Sequence, residues 1–145
     1  LSCLKDVVSE GHIRTIVNLY ASDIGNNEEL TAKEKKTFKQ LGGYAYLQLL
    51  RFHVPSTENM DIYQQIVSTI HMIQNAEGPV LLHCLIGSHD TGVIFGIMQK
   101  CFNHQPLAEV LAEARCHAPQ DEPLLKKYWK HTEFVIKHFP CSMLK

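Results

Sequence analysis

A cysteine followed by a short glycine-containing loop is the segment of this sequence with the clearest chemical potential. Residues 78–92 read GPVLLHCLIGSHDTG, in which an apolar run ends at His83 and Cys84 and Thr91 closes the loop. Successive backbone N–H groups in a tight loop bind anions, and the N-terminus of a following helix adds partial positive charge. Such surroundings favour the thiolate form of a cysteine, which is the nucleophilic form. The predicted chemistry is attack by Cys84 on a bound oxyanion such as phosphate, through a covalent intermediate.

The loop resembles the signature HCxxGxxR, followed by Ser or Thr, of cysteine-dependent protein tyrosine and dual-specificity phosphatases. It looks most like the small atypical dual-specificity type, some members of which attack inositol phosphates, and the resemblance covers roughly residues 4–139. It implies that Cys84 is the nucleophile, that Gly87 makes the turn and that Thr91 aids release of the phosphoenzyme. The phosphate-binding loop implied by the resemblance consists of His83, which helps to organise it, Cys84, Leu85, Ile86, Gly87, Ser88, His89 and Asp90.

Asp90 occupies the position that holds the arginine in this signature. In the family that arginine grips two phosphate oxygens and stabilises the transition state. An ionised Asp90 cannot donate, and two like charges about 4 Å apart at an effective dielectric near 20 cost on the order of 4 kcal/mol. Losing a preorganised donor costs about 3–4 kcal/mol more. At about 1.4 kcal/mol per tenfold change in rate, hydrolysis is expected to fall by roughly five orders of magnitude.

The expected function is therefore that of a pseudophosphatase, a phosphatase-like domain that is catalytically impaired or inactive and acts by binding. The alternative is an active phosphomonoesterase that attacks a phosphoprotein or an inositol phosphate through a phosphocysteine. Asp90 is then an inactivating replacement in an active parent, or a protonated His89 supplies the missing cation. A third route to activity is a basic side chain from elsewhere, with Arg51, Lys100 and Arg115 as candidates.

Hydrolysis also needs a general acid that protonates the leaving oxygen. In the family this group is an aspartate on a separate loop, after the strand that here ends at FHVP, and the candidates are Glu58 and Asp61. A simpler interpretation is that Ser56, Thr57 and Asn59 cap the next helix while Asp61 complements its dipole. We favour the capping interpretation.

Other roles for the same residue types have weaker support. Free cysteine is commonly buried, so Cys84 alone is compatible with a structural role. Cys84, His89 and Asp90 are also the residue types of a cysteine hydrolase, but neighbours in a tight loop do not easily reach the required geometry. The possible ligands of a zinc site are Cys101, His104, Cys116 and His117. Their spacing matches no ligand pattern, so neither a metal nor a cofactor is expected.

Patterns typical of strands and helices alternate along the chain. Apolar and β-branched runs predict strands at 13–20, 45–54 and 78–84. Helical periodicity predicts helices at 3–10, 28–41 and 60–76, one after the loop, one from Pro106 and one capped by Asp121. The alternation implies right-handed crossovers and an α/β fold of three layers, a mainly parallel sheet flanked by helices. We expect a single phosphatase-like domain over 1–145, with the strand that ends at Cys84 most central.

Two details of these elements are testable. The helix at 28–41 is expected to be exposed, with its lysines forming a solvated face. In the helix at 3–10, Leu4, Val7 and Val8 are expected to share the buried side.

Composition narrows the expected partners and location. The chain has 145 residues and a net charge of −1, which gives no electrostatic reason for binding nucleic acid or an anionic membrane. The expected partners are a phosphorylated protein or a small phosphate ester, and a protein partner if the domain is inactive. Five irregularly spaced cysteines and no CxxC favour reduced thiols and a cytoplasmic location.

The start of the sequence also carries an expectation. The chain begins without Met, which is compatible with a fragment or a processed product. In the family a further strand or two precedes the helix at 3–10, so an altered N-terminal edge of the sheet is expected.

Overall fold

Helices and strands alternate along the residues that the computed structural model describes, which are 2–19, 27–48, 60–84, 90–117 and 123–145. The strands are β1 (Thr15–Asn18), β2 (Ala45–Gln48) and β3 (Val80–His83). The α-helices are α1 (Ser2–Glu10), α2 (Asn27–Gln40), α3 (Met60–Gln74), α4 (Asp90–Cys101), α5 (Leu107–Cys116) and α6 (Pro123–His138). A 3-10 helix, η1, follows at Cys141–Leu144. The predicted order of elements and the α/β class are confirmed.

The chain divides into two compact units. The sheet unit comprises Leu1–Arg51 and Met72–Leu85, and the helical unit comprises Phe52–His71 and Ile86–Lys145. The three strands, α1 and α2 belong to the first, and α4, α5, α6 and η1 belong to the second. Helix α3 begins in the helical unit and ends in the sheet unit.

The sheet is parallel, with strand order β2-β1-β3. Thr15 of β1 pairs with Ala45 on one side and with Val80 on the other. The parallel arrangement is as predicted, but among the three described strands the one with a neighbour on each side is β1, where β3 was expected. All four residues of β1 are buried, as expected for a strand with a neighbour on each side.

Helices α1 and α2 cover the apolar core of the sheet unit. Leu4, Val8, Ile16 and Phe38 form this core. The side chain of Val7 is 44% exposed, so its predicted place on the buried side of α1 is wrong. The prediction of an exposed α2 is also wrong in part, because Phe38 anchors one face of that helix with only 2% of its surface exposed.

Helices α4, α5 and α6 pack together in the helical unit. The buried residues at their contacts are Val93, Ile94, Ile97, Val110, Val135 and Ile136. Gly96 permits a close approach of α4 to α6, because a Cβ atom there would lie 2.7 Å from Cδ1 of Ile136. The apolar periodicity that predicted these helices therefore marks their packed faces.

The C-terminal end of α6 is held by one residue near the end of α4. The ammonium group of Lys100 donates at 2.9, 3.1 and 2.8 Å to the carbonyl oxygens of Ile136, Lys137 and Phe139. These carbonyls lack partners within a helix, and a cation at this end also complements the helix dipole.

A disulfide joins Cys101 to Cys141, with a Cα–Cα distance of 5.3 Å. The prediction of reduced thiols is therefore wrong for this pair, while Cys3, Cys84 and Cys116 are free thiols. The pairing joins residues 40 positions apart, which spacing along the sequence cannot reveal. Across the described ranges, no helix has both the length and the apolar character needed to cross a membrane.

Candidate functional site

The predicted site residues fall on both units of the chain. His83 ends β3 and Cys84 follows it, both half-buried in the sheet unit. Asp90 and Thr91 begin α4 in the helical unit. The loop residues between them, Leu85, Ile86, Gly87, Ser88 and His89, lie outside the described residues.

Neither candidate for the general acid can be placed. Glu58 lies outside the described residues, and so do the predicted capping residues at 56, 57 and 59. Asp61 belongs to the first turn of α3, but its side chain also lies outside the described part. The choice between a general acid and a helix cap therefore stays a prediction.

The carboxyl ends of the strands bring Cys84 to one edge of the sheet. His83 aligns with Asn18 at the end of β1, and Asn18 aligns with Gln48 at the end of β2. The N–H of Leu19 donates to the carbonyl of His83 at 2.7 Å, which holds the backbone directly before the cysteine. Ligands of open parallel sheets bind beyond such an edge, so the position of Cys84 suits a binding or catalytic group.

Behind Cys84 lies a hydrogen-bonded network of side chains from four elements. Oε1 of Glu34, on α2, accepts from Nε2 of His83 at 2.8 Å and from the hydroxyl of Tyr46 at 2.6 Å. The same hydroxyl accepts from Nδ2 of Asn18 at 2.9 Å. Nδ1 of His83 donates to the carbonyl oxygen of Cys84 at 3.1 Å. The network thus links helix α2 to the backbone of the candidate nucleophile.

The hydrogen-bond partners of His83 favour its imidazolium form. A carboxylate and a carbonyl oxygen can only accept, so both ring nitrogens of His83 must carry hydrogen. Burial alone would lower the pKa of His83, but the hydrogen bond and charge of Glu34, with the carbonyl of Cys84, raise it above its usual value. Burial would raise the pKa of Glu34, yet the bonds from His83 and Tyr46 lower it. The two residues therefore form an ion pair.

The ion pair has two consequences at this edge. Because both nitrogens of His83 are engaged, the ring is fixed and so is the carbonyl at the start of the loop. Because Glu34 neutralises the imidazolium, His83 brings no net charge with which to hold a phosphate. Burial and the hydrogen bond to Glu34 also raise the pKa of Tyr46, so its hydroxyl stays protonated and donates to the carboxylate.

Asp90 and Thr91 form the N-terminus of α4 and are half-buried. A carboxylate in the first turn of a helix is stabilised by the partial positive charge there, typically by about 0.3–1 kcal/mol. Asp90 thus places an acidic side chain at this helix terminus. Within the described ranges the buried hydroxyl oxygen of Thr91 has no hydrogen-bond partner.

One of the basic side chains considered as a replacement for arginine is engaged elsewhere. Lys100 donates to three carbonyl oxygens at the end of α6. Burial lowers the pKa of Lys100. Arg115 lies on α5 and is exposed, while Arg51 and His89 lie outside the described residues. Lys100 is therefore not available to replace the arginine of the signature.

One of the four residues suggested as zinc ligands is not available to a metal. Cys101 is bonded to Cys141 and is not available to zinc. No three side chains of His, Cys, Asp or Glu are grouped as metal ligands in the part of the chain that the structure describes.

Sequence reasoning missed Glu34, Tyr46 and Asn18. The signal for Glu34 is its place four residues before Phe38 and seven before Leu41, which puts a carboxylate on the apolar stripe of α2. A charged residue on such a stripe needs a partner, and His83 provides it. Nothing local marks Tyr46 or Asn18, because their roles depend on the pairing of β1 with β2.

Comparison with known proteins finds solved structures with a similar fold. No protein-family model and no curated protein sequence matches the chain. The chain is similar to the core catalytic domain of the PP-IP phosphatase Siw14 from S. cerevisiae in complex with citrate. The TM-score is 0.67 and the identity 17%, over 94% of this chain and 74% of that one. A second structure of the Siw14 catalytic core gives 0.62 and 18%, over 88% and 72%.

A proposed phosphatase from Neisseria meningitidis Z2491 is also similar, with a TM-score of 0.61 and 18% identity over 90% of this chain and 86% of that one. At such identities the likeness establishes the fold alone. The predicted α/β fold of the protein tyrosine phosphatase type is confirmed.

Proposed function

We propose that this chain is a phosphatase-like domain that has lost most or all hydrolytic activity and acts by binding. The proposal depends on one observation, which is that Asp90 begins α4 at the position where the signature HCxxGxxR has arginine. The fold, and the placement of Cys84 at the carboxyl edge of the sheet, support a phosphatase-like architecture.

The electrostatics of the described residues favour loss of catalysis. The charge of His83 is neutralised by Glu34, and Lys100 is engaged at the end of α6. In the loop that the resemblance implies, neither cation is therefore available to replace the arginine for which Asp90 stands. The expected deficit is about 7–8 kcal/mol, the sum of like-charge repulsion and a lost donor, or roughly five orders of magnitude in rate.

The proposed ligand is a small phosphate ester or a phosphorylated protein, with a protein partner as the way in which an inactive domain takes effect. Among small esters, the inositol phosphates receive support from the likeness to a PP-IP phosphatase. Such a ligand would be held by the backbone N–H groups of the loop and the terminus of α4, without the bidentate grip of arginine.

Hydrolysis of p-nitrophenyl phosphate by three proteins tests the proposal. These are the chain itself, Asp90→Arg, and Asp90→Arg combined with Cys84→Ser. The chain is expected to show no turnover above the level of the double variant. Turnover by Asp90→Arg alone would mean that the site is complete apart from one residue and that Cys84 is its nucleophile.

The other outcomes are equally informative. Turnover by the unmodified chain that is lost on Cys84→Ser overturns the proposal, because a replacement cation then exists. If Asp90→Arg is folded but inactive, the fold serves binding alone and the search moves to partners. Circular dichroism and thermal melting of each variant separate loss of chemistry from loss of fold.

The second candidate is an active phosphomonoesterase, or an inactivated form of one, that works through a phosphocysteine. The intact network of Glu34, His83 and Tyr46 favours it, since the backbone of the nucleophile is still positioned. In this mechanism the thiolate of Cys84 attacks phosphorus, the ester oxygen leaves with a proton, and water then releases phosphate from sulfur.

We also propose a cytoplasmic location, with the disulfide as the observation that opposes it, because such bonds persist mainly in oxidising compartments. Alkylation of the protein directly in lysed cells, followed by mass spectrometry, shows whether Cys101 and Cys141 are free thiols or a disulfide in the cell. Five labelled cysteines are expected in the cytosol, and labelling of only Cys3, Cys84 and Cys116 would contradict that location.

A further inference from the structure

A cavity of about 390 Å³ opens in the sheet unit, at the edge opposite to Cys84. Arg14 directly precedes β1, whereas Cys84 directly follows β3 in the same parallel sheet. A strand of four residues spans about 13 Å, so the two edges are separated by roughly that distance. The cavity is therefore a different place from the candidate catalytic edge.

The ionisable side chains that line the cavity are all basic, two of them being the cations Lys5 and Arg14. Lys5, His12 and Arg14 reach it from α1 and from the turn that leads into β1. None of the three forms an ion pair with a carboxylate within the described ranges, and no acidic side chain of those ranges lines the cavity. Three basic side chains around one concave space, without a compensating anion, are the composition of an anion site.

The local structure directs these side chains to the cavity. Lys5 and Ser9 are four residues apart on α1, so they share a face of the helix with Val8, and His12 follows in the turn after the helix. His12 has φ of 50°, a left-handed conformation that is uncommon for a residue other than glycine. Such conformations are maintained where the surroundings fix them and are frequent at binding sites.

Arg14 is the most firmly held of the three. Its backbone N–H donates to Pro79 at 2.9 Å, and its carbonyl accepts from the N–H of Tyr44 at 2.8 Å. Its guanidinium lies over the ring of Tyr44, 5.7 Å from the centroid. Gly78 leaves room for the aliphatic stem, because a Cβ there would lie 2.3 Å from Cγ of Arg14. The planar guanidinium of arginine is suited to the bidentate binding of phosphate.

The rest of the lining sets the class of ligand. Val8, Ile13 and Leu41 supply an apolar floor, and the hydroxyl of Ser9 is a neutral donor. The volume lies in the range of small-molecule sites. A concave, largely basic site of this size fits a compact molecule with several phosphate charges better than an extended chain.

We propose that this cavity, centred on Lys5, His12 and Arg14, is a second anion site that binds a small polyphosphorylated molecule. It acts independently of the loop at Cys84, so it does not rest on the proposed function. Binding there would hold α1 against the start of β1, since the ligand bridges Lys5 of the helix to Arg14 at the sheet.

Titration of the full chain with inorganic tripolyphosphate tests this site. Calorimetry at low salt gives the affinity, and ¹H–¹⁵N spectra give the location. We expect shifts at residues 5–14 and 41–44. The double variant Lys5→Gln/Arg14→Gln should bind at least 100-fold more weakly, since each charge-assisted contact contributes about 10-fold or more. The matched control is Lys35→Gln/Lys36→Gln, with the same change of net charge on exposed residues of α2.

Each outcome of the titration either supports or overturns the proposed anion site. Equal losses in the test and control variants, or no binding by the unmodified chain, overturn the site. Shifts confined to residues 83–84 also overturn it and instead support phosphate binding at the loop. If the double variant is unfolded, Lys5→Gln alone on the exposed surface of α1 and Arg14→Lys take its place. Losses of about 10-fold in both, with unchanged thermal stability, support the site.

Discussion

At the scale of single residues, the protonation of His83 connects helix α2 to the backbone of Cys84. Oε1 of Glu34 receives two hydrogen bonds, one from an imidazolium and one from a phenol, and both partners are more than half-buried. Neither residue of the ion pair is stable there as a lone charge. The charge of each residue therefore depends on the charge of the other. For this reason the contribution of the ion pair to the free energy of unfolding depends on pH.

Replacing Glu34 by Gln is expected to lower the free energy of unfolding by about 1–2 kcal/mol in a defined pH window. The pKa of His83 is raised above its usual 6.5, so its contribution is complete below 6.5 and is lost as the pH rises through the raised value. The pKa of Glu34 is lowered from 4.5, so its contribution is complete above 4.5 and is lost as the pH falls through the lowered value. Denaturant unfolding from pH 4 to 9 should show the largest difference between 4.5 and 6.5.

The control for this experiment is Glu29→Gln on the same helix, where the carboxylate pairs with Lys33 at the surface. That variant should change stability by less than about 0.5 kcal/mol at any of these pH values. An NMR titration of the His83 ring gives a second measurement. If its pKa is unchanged by Glu34→Gln, the account of the network is wrong.

The residues of the site differ in how far the sequence reveals them. Cys84, Asp90 and Thr91 are predicted as site residues from their spacing in the loop, and that spacing is a local property of the chain. Glu34 was missed because the helix that carries it was interpreted as a solvated face, although its position relative to Phe38 contained the signal. Tyr46 and Asn18 enter only through strand pairing, which no local pattern encodes.

At the scale of elements, the contact between α4 and α6 depends on Gly96 and not on Gly92, which lies four residues earlier in α4. A Cβ at Gly96 would lie 2.7 Å from Cδ1 of Ile136 and 3.4 Å from Cγ1 of Val110. A Cβ at Gly92 would meet Cγ2 of Thr132 at 4.0 Å, an ordinary contact. The two positions therefore form a matched pair within a single helix.

Gly96→Ala is expected to destabilise the fold by about 1–2 kcal/mol, because overpacking outweighs the better helix propensity of alanine. Gly92→Ala should stabilise it by up to about 1 kcal/mol, since only the propensity changes. Urea unfolding of both variants measures the difference. Stabilisation by both substitutions would show that Ile136 moves aside freely and that the approach of the helices is not tight.

Lys100 connects two elements by a different means, through the exposed carbonyls at the end of α6. Lys100→Met should lower the free energy of unfolding by about 1.5–3 kcal/mol, because three acceptors lose a charged donor. Lys130→Met, at an exposed position of α6, is the control and should be close to neutral. Comparable losses in the two variants would contradict a specific role for Lys100.

The elements themselves were largely predictable. The predicted helix at 60–76 corresponds to α3, where Ile62, Ile66 and Ile70 are buried at four-residue steps, and Pro106 lies at the cap of α5. The order of strands was not predictable to the same degree, because β1 and β3 are both short, apolar runs. Which of two such runs is central depends on pairing between distant segments.

At the scale of the whole molecule, the disulfide closes a long loop within the helical unit. In the chain-entropy description, a loop of 40 residues corresponds to about 4 kcal/mol of stabilisation. Replacing both Cys101 and Cys141 by Ser should therefore lower the free energy of unfolding by about 2–4 kcal/mol. The control is Cys3→Ser/Cys116→Ser, which changes two exposed free thiols and should have little effect.

Reduction of the unmodified chain should reproduce the loss seen in the double serine variant, and reductant should not affect that variant. If reductant leaves the stability of the unmodified chain unchanged, the bond does not form in solution. The sequence could not reveal this pair, because five cysteines allow many pairings and only the fold brings two of them within 5.3 Å between Cα atoms.

The central position of β1 also determines the order of events during synthesis. Thr15 must wait for Ala45 and then for Val80, so the earliest of the three described strands is the last of them to complete its pairing. Pairings between distant segments slow folding, and a strand with an open edge is prone to associate with other chains. A nascent chain stalled before residue 80 should therefore expose the edge of β1 and recruit chaperones. A chain extended well beyond residue 83 can pair β3 with that edge.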